Sequence, residues 1–300
     1  MISDYATGFE ERQISASDGL QLYARDYGRS DLRAHERPPV VCLPGLSRNS
    51  RDFHQFALLL SRHPTEPRRV VTLDYRGRGR SAWDAKPENY SLSVECDDVL
   101  SATTALGIGH AVFVGTSRGG LLLHMLSAIR PSMLLAVVLN DIGPVIESTG
   151  LAQIKAYLTR EVTPKSWEDA AALLRDIHGR AFPALSEQDW RDMADAIYAM
   201  RDGRIVADFD PALAEQLKAI DFNQPVPALW PQFAGLTAMP LLAIRGANSQ
   251  LLSAETVEEM KKRHPRMRAV TASGQGHAPL LHHRDVFPEI SDFFRDLNAG

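Results

Sequence analysis

Cysteine is almost missing from this chain: Cys42 and Cys96 are the two present in 300 residues. Neither belongs to a CxxC pair or has a histidine at ligand spacing. That excludes a disulfide framework and a thiolate metal site, and both read as reduced packing residues of a cytoplasmic protein. Long apolar runs are missing too, since none approaches the roughly 20 residues of a membrane-spanning helix. The opening MISDYATGFEER carries acidic residues where a secretory leader needs a basic end and an apolar stretch, so no targeting segment is expected. There is no basic surplus. The formal net charge is -4 and the lysines and arginines are scattered, which gives no reason to expect a nucleic-acid partner. Neither G-x-x-x-x-G-K-[ST] nor G-x-G-x-x-G occurs, and no His/Asp/Glu group has metal-ligand spacing. These exclusions leave a cofactor-free, metal-free protein whose partner is a small molecule.

What is present is an ordinary globular composition, 44% hydrophobic and 23% charged, long enough for one large core or a core with an inserted lid. Short apolar or alternating runs bounded by turn residues predict strands at EERQISAS, LQLYARDYG, PVVCLPG, RRVVTLDYRG, HAVFVGTS, LLAVVLND, PLLAIRG and MRAVTASG. Helical periodicity predicts DFHQFALLLSR, LSVECDDVLSATTAL, SRGGLLLHMLSAIR, SAETVEEMKKRH and DVFPEISDFFRDL. The first two strands meet at SDG, a hairpin turn. Thereafter strand and helix alternate, the pattern of a mostly parallel sheet covered on both faces. The alternation stops between Gly143 and about Met239, where only helical pieces appear: GLAQIKAYLTR, SWEDAAALLRDIHGR, SEQDWRDMADAIYAM and DPALAEQLKAI, closed by QPVPALWPQF. This segment reads as a helical insertion, with strands resuming at Pro240.

HAVFVGTSRGG sets an apolar strand directly before Gly115-Thr116-Ser117-Arg118-Gly119, with a helix following. G-x-S-x-G in that context is a very tight turn. The glycines remove side chains that would collide with strand and helix, and the serine is pushed out above the sheet beside a helix N-terminus. Ser117 is therefore the candidate nucleophile.

Several blocks together resemble the α/β-hydrolase family over almost the whole chain. CLPGLSRNSRDF resembles the oxyanion loop, with Leu43-Pro44 where the family commonly has His-Gly. LDYRGRGRS resembles the D-x-R-G-x-G-x-S turn, GTSRGG the nucleophile elbow, GQGHAP the histidine loop, and VVLNDIGP a subgroup of lidded members. The resemblance implies an α/β fold: a mostly parallel eight-stranded sheet flanked by helices, with core residues 1–143 and 240–300 and a helical cap at 144–239. It also implies that Ser117 forms an acyl intermediate and that His277 is its base. The oxyanion donors would be the backbone N–H groups of Leu46 and Arg118. The Arg118 guanidinium either points to the pocket or pairs with a neighbouring element. The RGRGR run is implied to be a structural turn, with Arg76 bonding carbonyls, and not a phosphate site.

The family usually carries an Asp or Glu after the seventh strand to orient the histidine, and RGANSQLLS has neither. Asn248 and Gln250 are neutral substitutes there, and Glu255 falls inside a helix. Asp141, at the end of the sixth strand, keeps the order Ser…Asp…His and matches members whose acid follows that strand. It either orients His277, or caps the entry to the lid or bonds the backbone of the serine turn. Asn140 beside it is placed to line the pocket, as is Trp230 among the lid aromatics Tyr157, Trp167, Trp190 and Tyr198. The expected activity is serine hydrolysis of a small ester or lactone. C–C bond hydrolysis of ring-cleavage products and a turnover-impaired binding protein are the alternatives.

Overall fold

Eight of the apolar runs join into one sheet, in the order β1-β2-β4-β3-β5-β6-β9-β10. In chain order, β1 (Glu10–Ser15) and β2 (Gln21–Tyr27) form an antiparallel hairpin. Then β3 (Val40–Leu43), α1 (His54–Ser61), β4 (Val70–Asp74), α2 (Leu92–Ala105), β5 (Ala111–Thr116), α3 (Arg118–Ile129) and β6 (Leu134–Asn140) alternate. After β6 come α4 (Ser148–Leu158), α5 (Trp167–His178), α6 (Glu187–Ile197), β7 (Tyr198–Arg201), β8 (Arg204–Ala207), α7 (Ala212–Lys218) and α8 (Trp230–Leu236). The chain then adds β9 (Leu241–Gly246), α9 (Ala254–Arg263), β10 (Met267–Ala272) and α10 (Phe287–Asp296). The structure is a computed structural model that describes residues 4–160, 162–218 and 226–297.

From β4 across to β10 every pairing is parallel, while β1 and β2 are antiparallel to their neighbours. The period-two geometry of a strand divides the apolar residues between two faces. Val41, Leu43, Phe113, Val137, Leu139 and Leu241 enter one buried cluster. Their neighbours Val40, Cys42, Val112, Val114, Val138 and Leu242 enter the other. Burying each such aliphatic side chain contributes on the order of 1.5–3 kcal/mol of transfer free energy, and cover on both faces buries β3, β4 and β5 throughout. Cys42 and Cys96 are free and buried, as packing residues. Among the described residues no helix is long and apolar enough to cross a membrane.

The stretch between β6 and β9 is not wholly helical. The predicted helix SEQDWRDMADAIYAM stops at Ile197, and β7 and β8 follow as an antiparallel hairpin. Its turn, Asp202-Gly203, holds positive φ at both residues, the conformation that favours Asp-Gly in tight hairpins. Met193, Ala196, Ile197 and Met200 stand at helical spacing, which hides the switch. A third buried cluster unites Leu174, Phe182, Trp190, Met193, Tyr198 and Ile205, with Tyr157 and Trp167 packed against it. α8 instead buries Phe233 and Leu236 in the cluster of the sheet. The last residues predicted for DPALAEQLKAI and the first of QPVPALWPQF lie outside the described residues.

Candidate active site

Ser117 stands at the end of β5 with φ 51° and ψ −112°, a backbone conformation that costs a non-glycine residue on the order of 1–3 kcal/mol. Its surroundings enforce it. A Cβ on Gly115 would lie 2.6 Å from the Gly119 carbonyl carbon, and one on Gly119 would run into the Leu43 carbonyl. The Ser117 N–H donates to Asn140 O at 3.1 Å, tying the turn to the end of β6. The turn thus lifts the hydroxyl away from the sheet.

His277 follows β10 and faces that hydroxyl, with Nε2 3.0 Å from Ser117 Oγ. Its Nδ1 donates to Asp141 Oδ2 at 2.8 Å. A carboxylate accepting at Nδ1 fixes the tautomer, leaving Nε2 as the acceptor for the serine proton. Asp141 also has positive φ and is fully buried. Its N–H donates to Ile244 O at 2.7 Å, extending the β6–β9 pairing by one residue. Two further donors come from the end of β9 and the loop after it: Gly246 N–H reaches Oδ1 at 2.8 Å and Ser249 Oγ reaches Oδ2 at 2.6 Å. Both carboxylate oxygens are therefore satisfied without water.

The acid-free loop thus serves the carboxylate of Asp141. Asn248 and Gln250 are exposed and line the cavity, but neither side chain bonds His277 or Asp141. Asn248 Nδ2 donates to Ala181 O at 2.9 Å. Between them Ser249 turns inward, and its Oγ also accepts from Leu251 and Leu252 N–H at 3.1 and 3.2 Å. Sequence reasoning missed this serine. The signal was a hydroxyl one loop away from Asp141 on the neighbouring strand.

The other predicted residues divide. Leu46 borders the cavity beside Gly45 and Ser47. Arg118 opens α3, so its N–H is among the donors without an intrahelical partner. Its guanidinium turns away from the cavity, with Nε on Glu95 at 2.6 Å and Nη2 on Tyr90 O at 3.2 Å. Asn140 lines the cavity while its amide bonds Thr116 Oγ1 and Pro279 O, both at 3.0 Å, stapling the serine turn to the histidine loop. Trp230 is not at the cavity: its ring lies under the Arg263 guanidinium at 3.9 Å and edge-on to Phe233 at 5.8 Å. The apolar neighbours of α8 draw it to the α3 side. Arg76 does not bond carbonyls either. It meets Asp98, Asp18 and Asp84, and it is Arg78 that holds the carbonyls of Leu46 and Arg76. Both arginines are buried, which leaves no phosphate site in that turn.

A cavity of about 860 Å³ opens over Ser117 and His277, walled by residues of α4 to α6 such as Tyr157, His178 and Met193. Burial depresses His178 and His282 to about 4, so both stay neutral at pH 7. Arg48, Arg160 and Arg180 supply positive charge.

Residues 40–289 match the model of the Alpha/beta hydrolase family. A protein named 3-hydroxybutyrate-oligomer hydrolase, from Cupriavidus necator, is 32% identical over 81% of this chain and 83% of its own length. The 2-(acetamidomethylene)succinate hydrolase of Mesorhizobium japonicum is 28% identical over 92% of this chain and 94% of its own. Among solved structures, an alpha/beta hydrolase from Novosphingobium aromaticivorans superimposes with a TM-score of 0.88 at 35% identity, covering 96% of this chain and 99% of that one.

Proposed function

Because the chain belongs to the alpha/beta hydrolase family, we propose that it is a serine hydrolase cleaving small esters or lactones through an acyl-enzyme. The observation that carries this is the unbroken chain from Ser117 Oγ through His277 to Asp141, at 3.0 and 2.8 Å. His277 Nε2 takes the Ser117 proton as Oγ adds to the ester carbon. The Leu46 and Arg118 N–H groups receive the oxyanion. The tetrahedral intermediate collapses, His277 returns the proton to the leaving alkoxide, and the acyl group stays on Ser117. Water, deprotonated by His277, then releases the acid and restores the serine. Residues 144–239 act as the cap, since α4 to α6 wall the cavity opposite Ser117.

The cavity favours esters that carry a carboxylate. Of its acids, Asp52 pairs with Arg48, while Asp189 and Asp192 accept from the neutral groups of Ser186, Gln55 and Gln188, so the preference is assigned to the arginines nearest the substrate and not to the cavity's net charge. The exposed guanidinium groups of Arg160 and Arg180 make no ion pair among the described residues. A relative named for hydroxybutyrate oligomers supports the same class. The test is hydrolysis of the 3-hydroxybutyrate dimer against its methyl ester. The acid should be the better substrate by about tenfold, Arg180→Gln should erase the preference, and Ser117→Ala should abolish turnover of both. Equal rates on the two esters would end the carboxylate assignment.

C–C bond hydrolysis reuses the same residues, and the relative named 2-(acetamidomethylene)succinate hydrolase favours keeping it as the second reading. Rapid turnover of a vinylogous diketone with none of simple esters would select it. The binding-only alternative rested on an absent acid; Asp141 at 2.8 Å from His277, and relatives named as hydrolases, support turnover instead.

A further inference from the structure

Glu95, in the first turn of α2, is fully buried between two arginines. Its Oε1 accepts from Arg78 Nη1 at 2.7 Å and its Oε2 from Arg118 Nε at 2.6 Å. Each arginine leads to one side of the serine. Arg78 Nε donates to Leu46 O at 2.8 Å, and Arg118 is the residue after Ser117, the first of α3. The loop bearing Leu46 is pinned a second time, where Tyr75 Oη donates to Pro44 O at 3.2 Å. The Leu46 N–H therefore lies between two anchored carbonyls. The Arg78 guanidinium is itself confined, 5.6 Å from the Tyr75 ring and 5.5 Å from the Tyr90 ring.

We infer that Glu95 is a positioning residue of the oxyanion site: one buried carboxylate sets the spacing of the two backbone donors through Arg78 and Arg118. The inference rests on the serine-hydrolase reading, which makes those two N–H groups the donors. The physical demand is plain. Two donors on separate loops stabilise a tetrahedral oxygen only if their separation is fixed before the reaction, because reorganisation at that moment would consume the gain. Main-chain groups have no side chain by which to fix them, so the adjoining carbonyl and the neighbouring guanidinium are the handles available. A carboxylate with one oxygen on each arginine holds both handles at once. This also gives the inward-facing pair of arginines a role that no substrate contact supplies.

The test compares Glu95→Gln and Arg118→Gln with the unaltered enzyme. Three quantities are read for each: kcat and KM on a neutral ester, and inhibition by phenylboronic acid, which adds to the serine as a tetrahedral anion. Arg118→Gln keeps its own N–H and leaves the Glu95–Arg78 pair intact, so it decides the matter where Glu95→Gln does not fold. The expected result is a kcat lower by about 10- to 100-fold, KM within about twofold, and phenylboronate affinity lower in proportion to kcat. An unchanged kcat in folded Arg118→Gln overturns the inference. So does a fall in kcat with phenylboronate affinity intact, or a rise in KM alone. Failure of the underlying reading shows separately: Ser117→Ala would retain ester hydrolysis and would still react with a fluorophosphonate.

Discussion

The loop after β6 and the loop after β9 leave the same edge of the sheet side by side, and they divide one task between them. The first contributes the charge, Asp141, held by positive φ and full burial. The second, with the last residue of β9, contributes only donors, the Gly246 N–H and the Ser249 hydroxyl, both aimed at that charge. Their strands pair in parallel from Val137↔Leu241 to Asn140↔Ile244, which brings the two loop entrances within hydrogen-bonding distance. A carboxylate beside His277 Nδ1 can thus stand at the end of β6 while the end of β9 supplies its donors. A loop that does not hold the carboxylate can still complete its shell, and that shell lets the charge be buried.

The largest expected effect breaks the first loop. Asp141→Asn should lower kcat by about 10⁴, some 5 kcal/mol of barrier, because an amide can hold the wrong histidine tautomer. Fluorophosphonate labelling of Ser117 should slow in step with it. Moving the charge to the second loop sharpens the comparison. Ser249 Oγ lies 2.6 Å from the same carboxylate oxygen that accepts the hydrogen bond of His277 Nδ1. In the Asp141→Asn background, Ser249→Asp should recover about 10- to 100-fold of the lost kcat. Ser249→Asp alone should destabilise the fold, since two buried carboxylates would then share one set of donors. No recovery in a folded double variant would mean that the strand end, and not the position beside His277, decides.

Much of this was legible because local rules and the final contacts agree. An apolar strand before Gly-x-Ser-x-Gly leaves few places for Ser117, and Asp141 ends a strand whose neighbours are predictable from the alternation. Cooperation between loops was not legible. Ser249 is an ordinary polar residue in RGANSQLLS until β9 is known to lie against β6. Glu95 looks like a helix acid, and its two arginines come from turns 17 and 23 residues away. The β7–β8 hairpin was masked by apolar spacing that continues from α6, although the Asp202-Gly203 pair was its local sign. Trp230 misled because a large aromatic in an inserted segment suggests a pocket, while its helix packs on the sheet cluster.

Removing a donor from the second loop should cost less than removing the acid. Ser249→Ala deletes a charge-assisted hydrogen bond and frees the Leu251 and Leu252 N–H groups. The expected loss is about 1–3 kcal/mol of stability, read as a lower midpoint in urea. Asp141 keeps Gly246 N–H and His277, so kcat should fall only about 3- to 10-fold. A loss near that of Asp141→Asn would make the serine as important as the charge.

The smallest effect is the one that separates the neutral substitutes from the serine between them. Asn248 is exposed, and its side-chain amide is spent on Ala181 O at 2.9 Å, on the segment after α5, where both residues line the cavity. If orientation of His277 came from any polar group in this loop, Asn248→Ala would slow the chemical step. If it comes from Asp141, the substitution removes a single partly solvated hydrogen bond, worth about 0.5–1.5 kcal/mol, between the loop and the segment after α5. That bond lies outside the chain from Ser117 to Asp141, so kcat should stay within about twofold while KM responds to a looser entrance. The pair of results, a kcat that depends on Ser249 and a KM that depends on Asn248, would show that adjacent residues of one loop serve different walls of the site.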